Sequence, residues 1–406
     1  MIKVKQVALS KLVQSGRKIT YGIVQPGEFV AEGVILVRGR DYSGGWRPPG
    51  ELMRVAAEID APYSRSKLKP GDLVLTIVGA NTGTVAVVPK WLDGANITQT
   101  TARIAIDQRL ASSGYVEQVL RSSIGHREVY RYVKGGAQPG LNLTDVENFQ
   151  VPLPPLAQQH KIAEILRTWD EAISLLEIAT DARERRLSGA LQRLLAPARA
   201  IGRHIPQTNW ATTLFAEAFE ERQDRNADLG PDDVITVGKY AIRKQSEHFS
   251  RSVASSDLSN YRLISPGDFV YDPMSAYYGA LGCYRGTQDG IVSPAYRVIR
   301  LRPDIDPEFM TALLRSHSIR FQLDRKSSQG NKEGKRRIIQ REEFGSIEFN
   351  LPPIDAQRRI AAVLADFQRD MTLVKEQLDA VRRQKRGLMQ KLLTGEWPVN
   401  VEGAEQ

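Results

Sequence analysis

The chain has 406 residues, a formal charge of +9 and one cysteine, Cys283. That length exceeds what one hydrophobic core serves and allows two or three domains, while a lone thiol excludes an intramolecular disulfide and a cysteine-based zinc cluster. The start, MIKVKQVALSKLVQSG, lacks the unbroken apolar core of a signal peptide, and no apolar run approaches the roughly 18 residues of a membrane span, so a reducing, cytoplasmic setting is expected.

Over residues 1–150 short β-type runs bounded by Gly and Pro fall at 33–37, 73–78, 84–88 and 101–106. A helical stretch follows around 115–122, then a Gly-rich loop at 134–140. The pattern predicts a mixed α/β or α+β globule.

From Leu153 the sequence LPPLAQQHKIAEILRTWDEAI predicts a long helix, with Pro154-Pro155 in its first turn, where the N–H groups lack intrahelical partners anyway. Apolar positions step by four and three through Ile162, Leu166, Trp169, Ile173 and Leu176. Polar Thr180 and Arg183 interrupt the seam before Leu187, Ala190 and Leu194 resume it. Ala196-Pro197 supplies the stop.

Residues 210–350 repeat the first plan: LKPGDLV at Leu68 matches ISPGDFV at Ile264, and VLRSS at Val119 matches LLRSH at Leu313. The Pro-Gly-Asp predicts a turn feeding a strand, because Pro fixes φ and Gly permits a positive one. A second long helix then begins LPPIDAQRRIAAVLADFQRDM at Leu351. It matches the first without a gap at a constant offset of 198 residues through Leu195 and Leu393. Its seam reads Ile360, Leu364, Phe367, Met371, Val374, Leu378, Val381, Lys385, Leu388 and Leu392, with Gly395 and Pro398 as stops. This is an internal duplication. A heptad seam of that length requires a partner helix, and each copy offers one to the other. Roughly 40 residues at 1.5 Å rise make a helix of about 60 Å. The expected segments are 1–150, 151–197, 198–349, 350–395 and a tail, 396–406.

These residues carry a resemblance. PLPPLAQQHKIAEIL, its copy LPPIDAQRRIAAVLADF and the ending RGLMQKLLTGEW at Arg386 resemble the specificity subunit of type I restriction–modification systems. GGAQPGLNLTDVENFQVPLPP is similar to the end of a target-recognition domain in that family. The second copy departs by Ala356 for Gln158 and Asp370 for Ala172. The resemblance implies two pseudo-symmetric α/β (mixed α+β) target-recognition domains, at 1–150 and 198–349, separated by an antiparallel coiled coil of the two long helices. It implies that each domain reads one half of a bipartite double-stranded DNA target, that the helix pair sets the spacer, and that the conserved regions dock two methyltransferase subunits. Restriction subunits would complete the complex. The subunit itself would be non-catalytic, with S-adenosylmethionine, Mg and ATP on partner subunits only. Domains on one face of B-DNA stand about one helical turn apart, ~34–36 Å, a separation a rigid helix pair can hold.

Catalytic motifs are weak. None of the Pro-Pro pairs at Pro48, Pro154 and Pro352 has the Asn or Asp before it and aromatic after it that a base methyltransferase needs; YDPMS at Tyr271 has Met274 in place of the second Pro. Pro303-Asp304 and Glu333-Gly334-Lys335 formally fit a nuclease pattern, but Glu333 lies in the polar, Gly-broken run SSQGNKEGKRR rather than on a strand. His126, His160, His204, His248 and His317 show no metal-ligand spacing, so no metal site is expected.

DNA-contacting candidates come from loops where Gly admits close backbone approach and Arg, Gln and Asn can pair with base edges. In the second globule they are Gln329, Asn331, Lys332, Lys335, Arg336 and Arg337, with Tyr277 and Tyr278. In the first they are Lys134, Gln138 and Asn142, then Tyr42, Trp46 and Arg47 on RDYSGGWRPPG, then Thr98 and Gln99. The competing readings are a free-standing nuclease or methyltransferase with duplicated recognition domains, which the missing motifs disfavour, and a protein-only coiled-coil adaptor, which the basic loops disfavour.

Overall fold

A computed structural model describes residues 4–134, 139–195, 210–239, 241–247, 257–330 and 336–400. The chain divides into two units, residues 1–177 with 376–406, and residues 178–375. The division runs through both long helices.

In the first unit come β1 (Gln6–Ala8), β2 (Thr20–Tyr21), β3 (Val34–Val37), β4 (Met53–Val55) and the short helix α1 (Ala57–Asp60). Next are β5 (Leu73–Thr76), β6 (Val85–Val87), β7 (Asn96–Ile97) and β8 (Thr101–Ile104), then α2 (Ser113–Arg121), α3 (Ser123–Tyr132), α4 (Leu143–Glu147) and β9 (Gln150–Pro152). The helix α5 (Leu156–Leu195) follows. One antiparallel sheet has the order β2-β8-β5-β6, a second sheet β4-β3-β7, and β1 pairs with β9. The second sheet contains a parallel pair, β3 with β7.

The second unit repeats this plan. It contains β10 (Ala211–Leu214), α6 (Phe215–Ala218), β11 (Phe219–Arg222), β12 (Val234–Gly238), β13 (Ala241–Lys244), β14 (Arg262–Ile264) and β15 (Phe269–Tyr271). Then come β16 (Leu281–Cys283), β17 (Gly290–Val292), β18 (Arg297–Leu301), α7 (Pro307–Leu313), α8 (His317–Lys326), β19 (Ser328–Gly330) and β20 (Arg336–Ile338). Helix α9 (Arg341–Gly345), β21 (Glu348–Leu351) and the first half of α10 (Ile354–Leu393) complete it. The sheet β11-β18-β15-β16 corresponds to β2-β8-β5-β6, β10-β21 to β1-β9, and the parallel pair β12-β17 to β3-β7. A mixed α/β fold, built twice, is therefore what the chain adopts.

The duplicated Pro-Gly-Asp acts as a turn for the expected reason, with Gly71 at φ +85° and Gly267 at φ +91°. Its Asp does more. Asp72 accepts from the Lys69 backbone N–H at 2.8 Å and from both terminal nitrogens of Arg17 at 2.7 Å. Asp268 accepts from the Ser265 N–H at 2.9 Å and from Arg222 at 2.8 Å. Each carboxylate closes its own turn and ties it to a distant arginine.

The helix signature has an equally concrete cause. Pro154 and Pro155 lie just before α5 rather than in its first turn, and Gln159, 1% exposed, points back toward the globule. Its Oε1 accepts from Ser112 N at 3.0 Å, and its Nε2 donates to Pro154 O at 2.9 Å. Gln357, also 1% exposed, repeats the clamp, accepting from Asp306 N at 2.7 Å and donating to Pro352 O at 2.8 Å. The Pro-Pro-x3-Gln run thus fixes each helix start to its own globule.

The seam positions behave as a seam. Ile162, Leu166, Ile360, Leu364 and Val374 are buried, while Trp169, Ile173, Leu176, Phe367 and Met371 are half-buried. The helices run antiparallel: within the first unit Asp170 meets Lys385 (2.5 Å) and Glu177 meets Arg382 (2.5 Å). Within the second, Arg183 meets Asp370 (2.9 Å) and Glu184 meets Lys375 (2.6 Å). Asp370, a departure between the copies, is therefore the partner of the polar seam residue Arg183. At the far ends the helices enter the opposite globule's core. Met389, Leu392 and Leu393 of α10 pack with Leu9, Tyr115, Ile162 and Leu166 in the first unit. Leu195 of α5, with Leu187, Leu191 and Leu194, packs with Phe215, Phe309, Ile360 and Leu364 in the second. Gly395, at φ +74°, ends α10 as expected; Ala196-Pro197 lies outside the described residues.

Replacing the clamp, Gln159→Ala leaves the buried Ser112 N–H and Pro154 carbonyl without a partner. A loss of about 1–3 kcal/mol follows, measurable by denaturant unfolding; an unchanged midpoint would contradict the clamp.

Candidate nucleic-acid interface

The turn between β5 and β6 organises the first unit's exposed loops. Gly79-Ala80-Asn81-Thr82-Gly83 is closed by Thr82 N to Gly79 O (3.0 Å) and Thr84 N to Asn81 O (3.0 Å). It is stapled to the Gly-rich loop beside it: Gly79 N donates to Pro139 O at 3.0 Å and the Thr82 hydroxyl to the same carbonyl at 3.1 Å. Gly83, at φ +96°, reverses the chain against Val129. Asn81 at the tip is exposed.

Asn81 borders two clefts. One, of about 450 Å³, is lined by Arg38, Arg40, Asn81, Thr98, Gln99 and Thr100. The other, of about 770 Å³, includes Tyr130 but also Asp170 and Glu177. Carboxylates disfavour a phosphate, so the smaller cleft suits a polyanion better despite its size. In it Arg40 is exposed and has no ion pair among the described residues, whereas Arg38 is held by Asp41 at 3.0 Å. The Thr98 and Thr100 hydroxyls bond each other at 2.9 Å, and the Gln99 side chain is exposed while its backbone N–H is anchored on Ile23 O.

The second unit has the equivalent turn between β15 and β16. Counting from the paired Asp72 and Asp268, Ala80-Asn81-Thr82-Gly83 aligns with Ala276-Tyr277-Tyr278-Gly279, and Gly279 also has a positive φ, +111°. Tyr277 is half-buried and carries the Arg337 guanidinium 5.0 Å from its ring centre; Tyr278, 47% exposed, has the Lys239 ammonium at 5.8 Å. One scaffold position therefore presents Asn and Thr in one unit and two tyrosines flanked by cations in the other.

Several candidates take other roles. Tyr42 is 3% exposed, in a core with Val74, Val88 and Ile97; its hydroxyl bonds Thr76 Oγ1 at 2.8 Å, and burial pushes its pKa up to about 12. Trp46 packs on Tyr42 (5.4 Å between rings) and donates its indole N–H to Val87 O at 3.0 Å, so it anchors the loop. Asn142 is the N-cap of α4, accepting from Asp145 N at 2.8 Å. Arg337 is tied to Asp324 Oδ1 at 2.6 Å and to the Asp324 carbonyl at 2.7 Å. The corrections at Tyr42, Trp46 and Asn142 share one cause: a residue that anchors a loop has the same composition signature as one that reads a ligand. Arg47 and Lys134 stay exposed, Arg47 with Glu51 only at 4.0 Å. Gln138, Asn331, Lys332 and Lys335 lie outside the described residues, as do the side chains of Gln329 and Arg336. Arg38, Arg40 and Asn81 are additions. Carrying the offset of the paired Pro-Gly-Asp runs onward aligns Asn81 with Tyr277; nothing local marks the arginines.

One of the weak catalytic patterns resolves as a turn. The Asp272 carboxylate accepts from Met274 N at 2.9 Å and from the Ser275 hydroxyl, closing the Asp-Pro-Met-Ser turn. Asp304 is exposed and ion-paired to Arg302 at 2.5 Å; Glu333 and Lys335 lie outside the described residues.

Residues 55–182 match the family "Type I restriction modification DNA specificity domain". Part of the chain is similar in sequence to type I specificity subunits. The Type I restriction enzyme EcoBI specificity subunit of Escherichia coli is 30% identical over 189 residues, 47% of this chain and 38% of that one. The MjaVIII specificity subunit of Methanocaldococcus jannaschii is 35% identical over 51 residues, 13% of this chain and 12% of its own. The chain thus spans less than two-fifths of the length of each of these relatives. Two solved structures share the fold over 98% of this chain. The S subunit of a type I restriction-modification system from M. genitalium is covered to 96% (TM-score 0.57, 12% identity). A chain from a type I R-M system complex is covered to 99% (TM-score 0.58, 15% identity). The family match spans the Asn81 turn, Thr98–Thr100, Lys134 and the first half of α5. No helix among the described residues is long and apolar enough to cross a membrane.

The placements separate by stability. Tyr42→Ala should lower the unfolding free energy by about 3–5 kcal/mol, while Arg40→Ala stays within about 0.5 kcal/mol of the parent. Equal losses in urea titrations would contradict the assignment of one to the core and the other to the surface.

Proposed function

We propose that this chain is the DNA-recognition subunit of a type I restriction–modification complex. Each recognition domain reads one half of a bipartite target, and the helix pair sets the spacer and docks two methyltransferase subunits; restriction subunits complete the assembly. The observation that carries this reading is the pair of equivalent turns. Two units of one topology hold the same loop on the same Gly-terminated scaffold with different chemistry at its tip. Asn81, beside Gln99 and Arg40, can pair with base edges and phosphates; Tyr277 and Tyr278, beside Lys239 and Arg337, offer stacking faces and positive charge. Different tips on one scaffold suit two different half-sites.

The subunit is non-catalytic in this reading and works in the cytoplasm. Methyl transfer and cleavage, with S-adenosylmethionine, Mg and ATP, belong to partner subunits. Arg40, Arg47 and Lys134 contact phosphates and so fix position; Gln99 and Asn81 face the bases. A free-standing nuclease or methyltransferase is not favoured, since Asp272 and Asp304 are engaged by their own turn residues.

The test is methylation-sensitive sequencing of DNA from cells carrying this chain with a type I methyltransferase subunit. The expected result is one bipartite motif with two different halves and a fixed gap. Tyr277→Ala with Tyr278→Ala should then alter or relax one half and leave the other intact. Loss of specificity in both halves, or no methylated motif with an active partner, would overturn the proposal.

A further inference from the structure

An internal duplication creates a pairing problem. Helices α5 and α10 descend from one sequence, share their apolar seam, and could each pair with the same helix of a second copy. The four ion pairs between them, taken among the described residues, bear on that choice. Glu177 and Glu184 lie seven residues apart on α5, and Lys375 and Arg382 lie seven apart on α10. By the 198-residue offset Glu177 occupies the position of Lys375, and Glu184 that of Arg382. The duplicated positions carry opposite charge, and the structure pairs them crosswise, Glu177 with Arg382 and Glu184 with Lys375.

Transposing the same antiparallel register onto like helices inverts the outcome. An α5–α5 pair would set Glu177 against Glu184 twice. An α10–α10 pair would set Lys375 against Arg382 twice. The other two contacts fail as well. Asp170, which meets Lys385 at a seam position only 8% exposed, would face Leu187. Arg183, which meets Asp370, would face Ala172 in an α5–α5 pair. On α10, Lys385 would face Gln368, and Asp370 would face Val381. Every cross-helix ion pair is lost in either like pairing, and two become repulsions.

We infer that these charges are a pairing code, directing α5 to α10 and turning each helix away from the like helix of a second copy. Rim ion pairs contribute little to stability on their own, with the four flanking side chains about half exposed. Their effect lies in the difference between right and wrong partners, where attraction is exchanged for repulsion at each contact. The code acts on assembly and is independent of what the loops bind.

Two variants of the full chain test it. Variant one carries Glu177→Lys with Glu184→Arg and makes both helices basic at these positions; variant two carries Lys375→Glu with Arg382→Glu and makes both acidic. Each alone should lose a few degrees in Tm, and the loss should shrink in about 1 M salt, where screening shortens to roughly 3 Å. Combining all four substitutions should restore the parent Tm. Co-expressed with different tags, variants one and two should co-purify, whereas two differently tagged copies of the same variant should not. A fourfold variant no more stable than either double variant, or no co-purification of the complementary pair, would overturn the code.

Discussion

The constraint on which this molecule depends is that each globule's core is closed by the far end of the other globule's helix. Leu392 and Leu393 of α10 are buried in one core with Leu9 and Tyr115, far away along the chain, and Leu195 of α5 fills the matching place in the core of Phe215 and Ile360. Burying each such leucine contributes about 1.5–3 kcal/mol. The clamps Gln159 and Gln357 fix the near end of each helix with buried hydrogen bonds, so a globule is held by two helices at once. Neither half of the sequence supplies a closed core alone, which makes the native contacts strongly non-local.

This arrangement separates support from surface. Asp72, Asp268, the glutamine clamps and the helix ends bury their polar groups against fixed partners, so the scaffold is the same twice. The turn after β5 and its counterpart after β15 carry exposed residues at their tips, Asn81 and Tyr278. Their tips can differ as completely as Asn-Thr and Tyr-Tyr without cost to the fold.

Much of the fold was legible because periodicity and duplication survive in the residues themselves. The heptad seam, the paired Pro-Gly-Asp turns and the main strands of the first sheet all appear where hydrophobic pattern places them. Strands of two or three residues such as β2, β7 and β1 were not legible, since their pairing is set by partners far along the chain. The unit boundary through the middle of both helices was hidden for the same reason. At the surface, composition could not distinguish an anchor from a reader. Tyr42, Trp46 and Asn142 sit in loops of the right flavour, yet they fill a core, hold a carbonyl and cap a helix. Asn81 and the opposed charges at Glu177 and Lys375 were within reach, because comparing the copies position by position exposes differences as well as identities.

The most direct test of this account is native-state hydrogen exchange on the full chain carrying Leu392→Ala, a core deletion costing roughly 2–5 kcal/mol. If α10 completes the first unit, exchange should accelerate in α2, α3 and the first half of α5, while α7 and α8 keep their protection. Acceleration confined to α10 itself, or spread equally into α7 and α8, would contradict the crossed assembly.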